Sequence, residues 1–209
     1  PTDIFVRTYD KKKEFTKSFA FRMKTDSEKK LTRNTGFYER TSKLTRNFID
    51  ARGFWLPNDY TKHGVTNEYT ACREKAVVID LSSLRKFEIL GPDAEELMNY
   101  TLTRNIKKLS VGQIVYSAMC YENGTMFDDG TLLKLSETGF RWVCGDEYAG
   151  EWLKEQAKKK NLKVVIKNST DQINNLSVQG PNSRKILEKI IFTPPTQPAI
   201  SELQWFRFT

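Results

Sequence analysis

Hydrophobic positions organise the chain only from about residue 42 onward; residues 1–35 are polar and weakly periodic. Val65, Tyr69, Cys72 and Ala76 recur at helical spacing, with Thr66 as an expected cap, and predict a helix. Val77-Val-Ile-Asp-Leu81 reads as a buried strand, and Arg85-Lys-Phe-Glu-Ile-Leu90 alternates like a half-exposed one. Gly91-Pro92-Asp93 ends that strand and opens a helix whose apolar face is Ala94, Leu97, Met98 and Leu102. Strand-like runs at 113–121 and 125–135 flank Glu122-Asn123-Gly124, a strong hairpin signal because Asn and Gly tolerate positive φ. Glu137-Thr-Gly139 turns the chain into Phe140-Arg-Trp-Val-Cys144. A helix with Tyr148, Trp152, Leu153 and Gln156 on one side follows, and its lysine-rich end suits the helix dipole. Strands near 162–167 and 173–179 precede Gly180-Pro181-Asn182 and a helix bearing Ile186, Leu187 and Ile190.

Glu88-Ile-Leu-Gly-Pro-Asp-Ala and Ser177-Val-Gln-Gly-Pro-Asn-Ser share one phrasing: strand, Gly-Pro-Asx, helix. With antiparallel hairpins between them, they predict an α+β fold: antiparallel sheets with packed helices in two related halves. The tetrapeptide Leu-Thr-Arg-Asn at 31–34, 44–47 and 102–105 has no fixed period and so predicts no solenoid.

The formal charge of +8 is unevenly placed: residues 1–46 carry +7, leaving +1 for residues 47–209. A nucleic-acid-binding domain carries its charge on a folded face, so nucleic acid is not the expected partner. A basic N-terminal extension (1–35), solvated or docking to a partner, precedes a globular region (36–209). No apolar run approaches the roughly 18–20 residues of a membrane span, and the N-terminus lacks a secretory apolar core. The three cysteines are widely spaced, which suits free thiols in a cytoplasmic protein.

There is no phosphate-binding loop, dinucleotide fingerprint or metal-ligand cluster, and His63, the only histidine, lies in a polar loop. Asp128 and Asp129 differ, because they sit in a strand-like run where aspartate is disfavoured. Adjacent strand residues point to opposite faces, so one carboxylate can meet solvent while the other faces a pocket or the interior. Spacing alone leaves open whether the pair is catalytic or decorates an edge strand.

The segments Arg52-Gly-Phe-Trp-Leu-Pro-Asn-Asp-Tyr60, Glu68-Tyr-Thr-Ala-Cys-Arg-Glu74, Val78-Ile-Asp-Leu-Ser82 and Gly91-Pro-Asp-Ala94 follow one another along the chain. They continue with Leu102-Thr-Arg-Asn-Ile106, Val115-Tyr-Ser-Ala-Met119, Asn123-Gly-Thr-Met-Phe-Asp-Asp129 and Val178-Gln-Gly-Pro181. In that order they resemble the glycine-cleavage T-protein (aminomethyltransferase) family, over about residues 36–205. That family includes the folate-binding halves of sarcosine and dimethylglycine dehydrogenases and tetrahydrofolate-dependent demethylases. The resemblance implies transfer of a one-carbon unit, aminomethyl, methylene or methyl, from an amine-type donor to tetrahydrofolate, with no metal. It places Asp129 at the catalytic carboxylate beside the pterin. Tyr116 falls in the pterin pocket, Leu56 stands for a lining methionine, and Val143 matches a folate-lining valine. Gly145 stands where the family has an asparagine, and Gly130 replaces a larger residue at the pocket wall. A lipoyl carrier protein or a dehydrogenase is the implied partner, besides folate and a small methylated or aminomethyl donor. Two alternatives stay open: a non-catalytic folate-binding regulator of the same fold, and a demethylase of an S- or O-methyl substrate. The family continues with a Thr-Gly-Tyr-Thr-Gly-Glu segment, an arginine and a C-terminal barrel, so the chain is expected to be an N-terminal partial product without that barrel.

Overall fold

A computed structural model describes residues 32–209. The basic extension expected at 1–35 therefore lies, except for its last four residues, outside the described residues. A short helix (α1, Tyr38–Thr41) leads into a hairpin of β1 (Phe48–Ala51) and β2 (Phe54–Pro57). Helix α2 (Gly64–Glu74) and strand β3 (Val77–Asp80) come next, then β4 (Arg85–Leu90) and α3 (Ala94–Thr101). Three strands follow: β5 (Ile114–Cys120), β6 (Met126–Ser136) and β7 (Gly139–Cys144). Helix α4 (Tyr148–Lys159), β8 (Val165–Asn168), β9 (Leu176–Gln179) and α5 (Ser183–Ile190) complete the order.

A five-stranded antiparallel sheet in the order β5-β6-β7-β4-β8 forms the centre. Pleating sends Phe87 and Ile89 of β4, Leu132 of β6 and Phe140 and Trp142 of β7 into the core with the inner faces of α3 and α4. In α3 the buried positions Ala94, Leu97, Met98 and Thr101 follow the i, i+3, i+4, i+7 spacing of one helix face. Each large aliphatic or aromatic side chain buried here contributes about 1.5–3 kcal/mol. Strand β4 is buried along nearly its whole length rather than half-exposed, because β7 and β8 flank it on both sides.

The two related halves are real and share their register. Strand β4 runs through Gly91 into α3 and pairs with β8, with Leu90 opposite Val165. Strand β9 runs through Gly180 into α5 and pairs with β3, with Gln179 opposite Val77. Both glycines have positive φ, 137° and 124°. A Cβ at Gly91 would lie 2.4 Å from the Lys163 carbonyl oxygen, and one at Gly180 would lie 2.6 Å from that of Lys75. Lys163 and Lys75 each stand two residues before the strand that pairs with the glycine's own strand, so the close approach is the same in both halves.

The halves differ in burial. The first closes its core with β5, β6 and β7, and the described residues of the second contain no counterpart of those strands. Helices α2 and α5 therefore bury no residue. The expected apolar face of α2 is open, with Val65 70% exposed, and on α5 Ile190 is 72% exposed. Strand β3, expected to be buried, leaves Val78 and Ile79 exposed because β9 is its neighbour on one side only. Helix α2 also starts before Thr66: His63 is its N-cap residue and Gly64, at φ 75°, opens it.

This asymmetry sets the expected response to substitution. Leu97→Ala empties a fully buried site and should cost about 2–5 kcal/mol in urea denaturation. Gly91→Ala should also destabilise strongly, through its clash and its φ. Ile190→Lys, equally apolar in sequence, should change stability by no more than about 0.5 kcal/mol.

Candidate functional site

The β5–β6 hairpin turns at Tyr121–Thr125, where Gly124 alone adopts positive φ (85°) and the Asn123 side chain accepts from the Thr125 N–H and hydroxyl. Beyond the turn, Asp129 stands opposite Ala118 and Thr131 opposite Tyr116. The period of two puts Asp129, Thr131 and Tyr116 on the sheet face away from α3 and α4. The Tyr116 hydroxyl donates a short hydrogen bond to Asp129 Oδ2. Both side chains are exposed, so this face presents a carboxylate and an aromatic ring side by side. Arg104 adds a cation at the edge, its Nε donating to the Tyr116 carbonyl at 3.3 Å.

Asp128 points to the other face and is built into the fold. Its Oδ1 accepts the Asp129 N–H at 2.9 Å, and its Oδ2 accepts the Asp146 N–H at 3.0 Å, tying the hairpin to the turn after β7. Burial, and then the nearby Asp128 carboxylate, push the Cys144 thiol far above its ordinary range, so this cysteine stays protonated and unreactive.

Across the strands one row reads Tyr116, Thr131, Val143, Lys86, the first three also candidates or neighbours of candidates on sequence grounds. Lys86 was not anticipated. It is 1% exposed, its Nζ donates to the Ser82 carbonyl at 2.8 Å, and its backbone N–H donates to the Thr170 hydroxyl at 3.1 Å. Desolvation pulls its pKa down to about 8, with Asp80 acting in the opposite direction. No strand alternation in the sequence marks Lys86 as buried, because the cover comes from segments far along the chain.

Leu56 is buried in β2 opposite Ile49, and the hairpin that carries it reaches the turn after β7 through its tip. A Cβ at Gly145 would lie 3.4 Å from Nη2 of Arg52 at that tip. Gly130 does not form the pocket wall that the sequence suggested. It faces the core, where a Cβ would sit 2.2 Å from the Val143 carbonyl oxygen and 2.9 Å from the Trp142 ring. A separate cleft of about 600 Å³ opens between α2 and β3, lined by Tyr60, His63, Cys72, Val77 and Ile79 among others, and includes none of the five expected site residues. Among the described residues, no group of three or more His, Cys, Asp or Glu side chains is placed to hold a metal ion. Nor is any helix among them long and apolar enough to cross a membrane.

Residues 37–208 match the family described as the GCVT N-terminal domain. The chain belongs to the GCVT, or aminomethyltransferase, family. A relative from Ruegeria pomeroyi named trimethylamine-oxide aldolase is 53% identical over 208 residues, covering all of this chain and 26% of the relative. An aminomethyltransferase from Thermosipho melanesiensis is 31% identical over 178 residues, covering 84% of this chain and 47% of that protein. The crystal structure of glycine cleavage system aminomethyltransferase T from Bartonella henselae superposes with a TM-score of 0.69 at 25% identity, over 84% of this chain and 46% of that one. This GCVT chain thus spans about a quarter to a half of the length of the relatives it matches.

The buried Lys86 gives a pH signature. Because its folded pKa lies below the ordinary lysine value of 10.5, the unfolded state binds the extra proton between about pH 8 and 10.5. Lys86 therefore destabilises the fold below pH 8, and that penalty is relieved as pH rises through this window. The unfolding free energy of the wild-type chain should rise relative to Lys86→Met from pH 8 to pH 10; a flat difference would contradict the assignment.

Proposed function

We propose that this chain takes part in tetrahydrofolate-dependent transfer of a one-carbon group from an amine-type donor. The observation that carries the proposal is the Tyr116–Asp129 pair on an exposed sheet face of a GCVT-family fold. The donor set fits a reduced pterin. Asp129 Oδ2 is held by Tyr116, and Oδ1 can accept a ligand N–H, while the exposed Tyr116 ring offers an apolar surface for a planar heterocycle.

When bound, tetrahydrofolate supplies the nitrogen that accepts the one-carbon unit. The chain's own residues bind and orient. Asp129 fixes the pterin through a charge-assisted hydrogen bond and offsets positive charge developing at nitrogen in the transition state. Tyr116 holds that carboxylate in one rotamer. Asp128, through the Asp129 N–H and the Asp146 N–H, holds the backbone beneath it. Fixing donor and acceptor at reacting distance can lower a barrier by roughly 7–11 kcal/mol. Val143, in the row beside Thr131, and the buried Leu56 supply apolar lining in this proposal, and Gly145 leaves space where a side chain would otherwise stand.

The similarity to a protein named trimethylamine-oxide aldolase favours a donor in which the one-carbon unit is a methyl on nitrogen, over an S- or O-methyl substrate. A lipoyl carrier or dehydrogenase partner and a cytoplasmic location belong to the same proposal. The second reading, a folate-binding regulator without transfer, draws on Gly145, where a polar side chain is absent. One pair of measurements separates the two. In the protein that contains this chain, Asp129→Asn should lower methylene transfer to tetrahydrofolate by about 10²–10³-fold with the melting temperature unchanged. Folate binding without transfer in the wild type would favour the regulator, and normal turnover in Asp129→Asn would remove Asp129 from the mechanism.

A further inference from the structure

Strand β5 is the outermost strand of the five-stranded sheet, yet its outer edge is covered at both ends. At one end the Ile114 N–H donates to the Phe206 carbonyl at 2.9 Å, and the Phe208 N–H donates to the Gly112 carbonyl at 3.2 Å. At the other end the chain leaving α3 runs alongside. Leu102 is bridged to Met119, and the Thr103 N–H donates to the Ala118 carbonyl at 3.2 Å. Between these two segments the Tyr116 carbonyl is met by a side chain: Arg104 Nε donates to it at 3.3 Å. Arg104 is fixed from both directions along the chain. Leu102 and Ile106, two residues to either side, are buried, and the Ile106 N–H donates to Asn99 Oδ1 at 2.9 Å.

Both segments on this edge are basic. Residues 102–108 carry Arg104, Lys107 and Lys108 and no acid, and the second segment adds Arg207, bridged to Gln113. Among the described residues none of these four cations has a carboxylate partner. Asp129, on the adjoining face, accepts from the Tyr116 hydroxyl. Arg104 is exposed, and beyond Nε its two terminal nitrogens have no hydrogen-bond partner among the described residues. A guanidinium anchored through Nε still presents its terminal fork of two parallel N–H donors, the geometry that matches a carboxylate. The row Lys86, Val143, Thr131, Tyr116 leads to this fork, sealed at Lys86 and open at Tyr116. A ligand whose flat part lies on the row extends past Tyr116, over the strand edge where Arg104 stands.

We propose that Arg104 is a specificity-determining residue of the Tyr116–Asp129 site, its guanidinium receiving a carboxylate of the bound ligand at the open end of the row. This rests on the tetrahydrofolate reading and adds to it the group that recognises the ligand's anionic end. A carboxylate can come from the glutamate tail of tetrahydrofolate or from an amino-acid donor, and two pairs of probes distinguish these sources. Tetrahydrofolate is compared with 6-methyltetrahydropterin, which keeps the reduced ring and carries no carboxylate. N-methylglycine is compared with N-methylethanolamine, which carries a hydroxyl in place of the carboxylate.

Calorimetric titrations of the protein that contains this chain would use wild type, Arg104→Gln and Arg104→Lys. Glutamine keeps an N–H donor for the Tyr116 carbonyl without the charge, and lysine keeps the charge without the fork. Arg104→Gln should weaken binding of the carboxylate-bearing member of at least one pair by about tenfold or more and leave the other member of that pair unchanged. Loss with tetrahydrofolate assigns the carboxylate to the glutamate tail, and loss with N-methylglycine assigns it to the donor. Arg104→Lys should fall between. Equal weakening of both members, which a merely structural role would give, or no change in either pair, would overturn the assignment. If Asp129→Asn abolishes pterin binding while Arg104→Gln leaves carboxylate discrimination intact, this inference fails and the folate reading stands. If the wild type binds none of the four probes, both fail together.

Discussion

The close approach of β6 and β7 at Gly130 is the constraint on which the site depends. With the Val143 carbonyl oxygen 2.2 Å from where a Cβ would be, no side chain fits without parting the strands. That contact fixes the register in which Gly130 faces Cys144 and Thr131 faces Val143. Register decides face: a slip by one residue would turn Asp129 inward and Asp128 outward. Tyr116 on β5 could then no longer reach the carboxylate it now donates to. Gly130 thus acts from the core side of the sheet, one position away from Asp129.

Asp128 shows how two identical neighbours acquire different tasks. It accepts from two backbone N–H groups, so its carboxylate is used up in joining the hairpin to the turn after β7. Asp129 accepts from one side-chain hydroxyl and faces solvent. A group whose lone pairs are committed to backbone holds geometry, and one with an open oxygen can bind. The distinction follows from the pleat and from the turn at Asp146, without any difference in residue type.

Much of this was legible in the sequence where the signal is local. The Asn123-Gly124 turn, the helix spacing of Ala94, Leu97 and Met98, and the Gly-Pro-Asx echo each report a backbone demand within a few residues. The echo even carried the shared close approach of Gly91 and Gly180, since only a glycine meets both the φ and the contact. Burial was less legible. Val65, Tyr69, Ile186 and Ile190 have core-like spacing, yet burial depends on strands that must come to cover them, and no such strands lie among the described residues. Lys86 errs in the opposite direction: it lies in a run that reads as half-exposed, yet it is among the most buried residues. Its cover comes from Ser82 and from Thr170, the second 84 positions away, which no periodicity records. Arg52 was quoted only as part of a resemblance, because an arginine before a glycine in a turn gives no sign of where its side chain goes.

Along the face opposite the helices, burial changes steadily. Lys86 at one end is sealed, Val143 and Thr131 are half-covered, and Tyr116 at the other end is exposed. The sealed end lies under segments that link the two halves, and the open end lies beside the hairpin. Electrostatic interactions strengthen as solvent is excluded, so the same face offers a firm, poorly hydrated floor and a wet mouth. In the proposed reading, a flat ligand laid along the row would meet Tyr116 and Asp129 at the wet mouth and Val143 where it is partly covered. In that reading, Val143 supplies apolar contact and the Tyr116–Asp129 end supplies orientation. That division requires the second half to be present even though it contributes no polar group to the Tyr116–Asp129 pair, because without its cover the Lys86 end of the row would be as wet as the mouth.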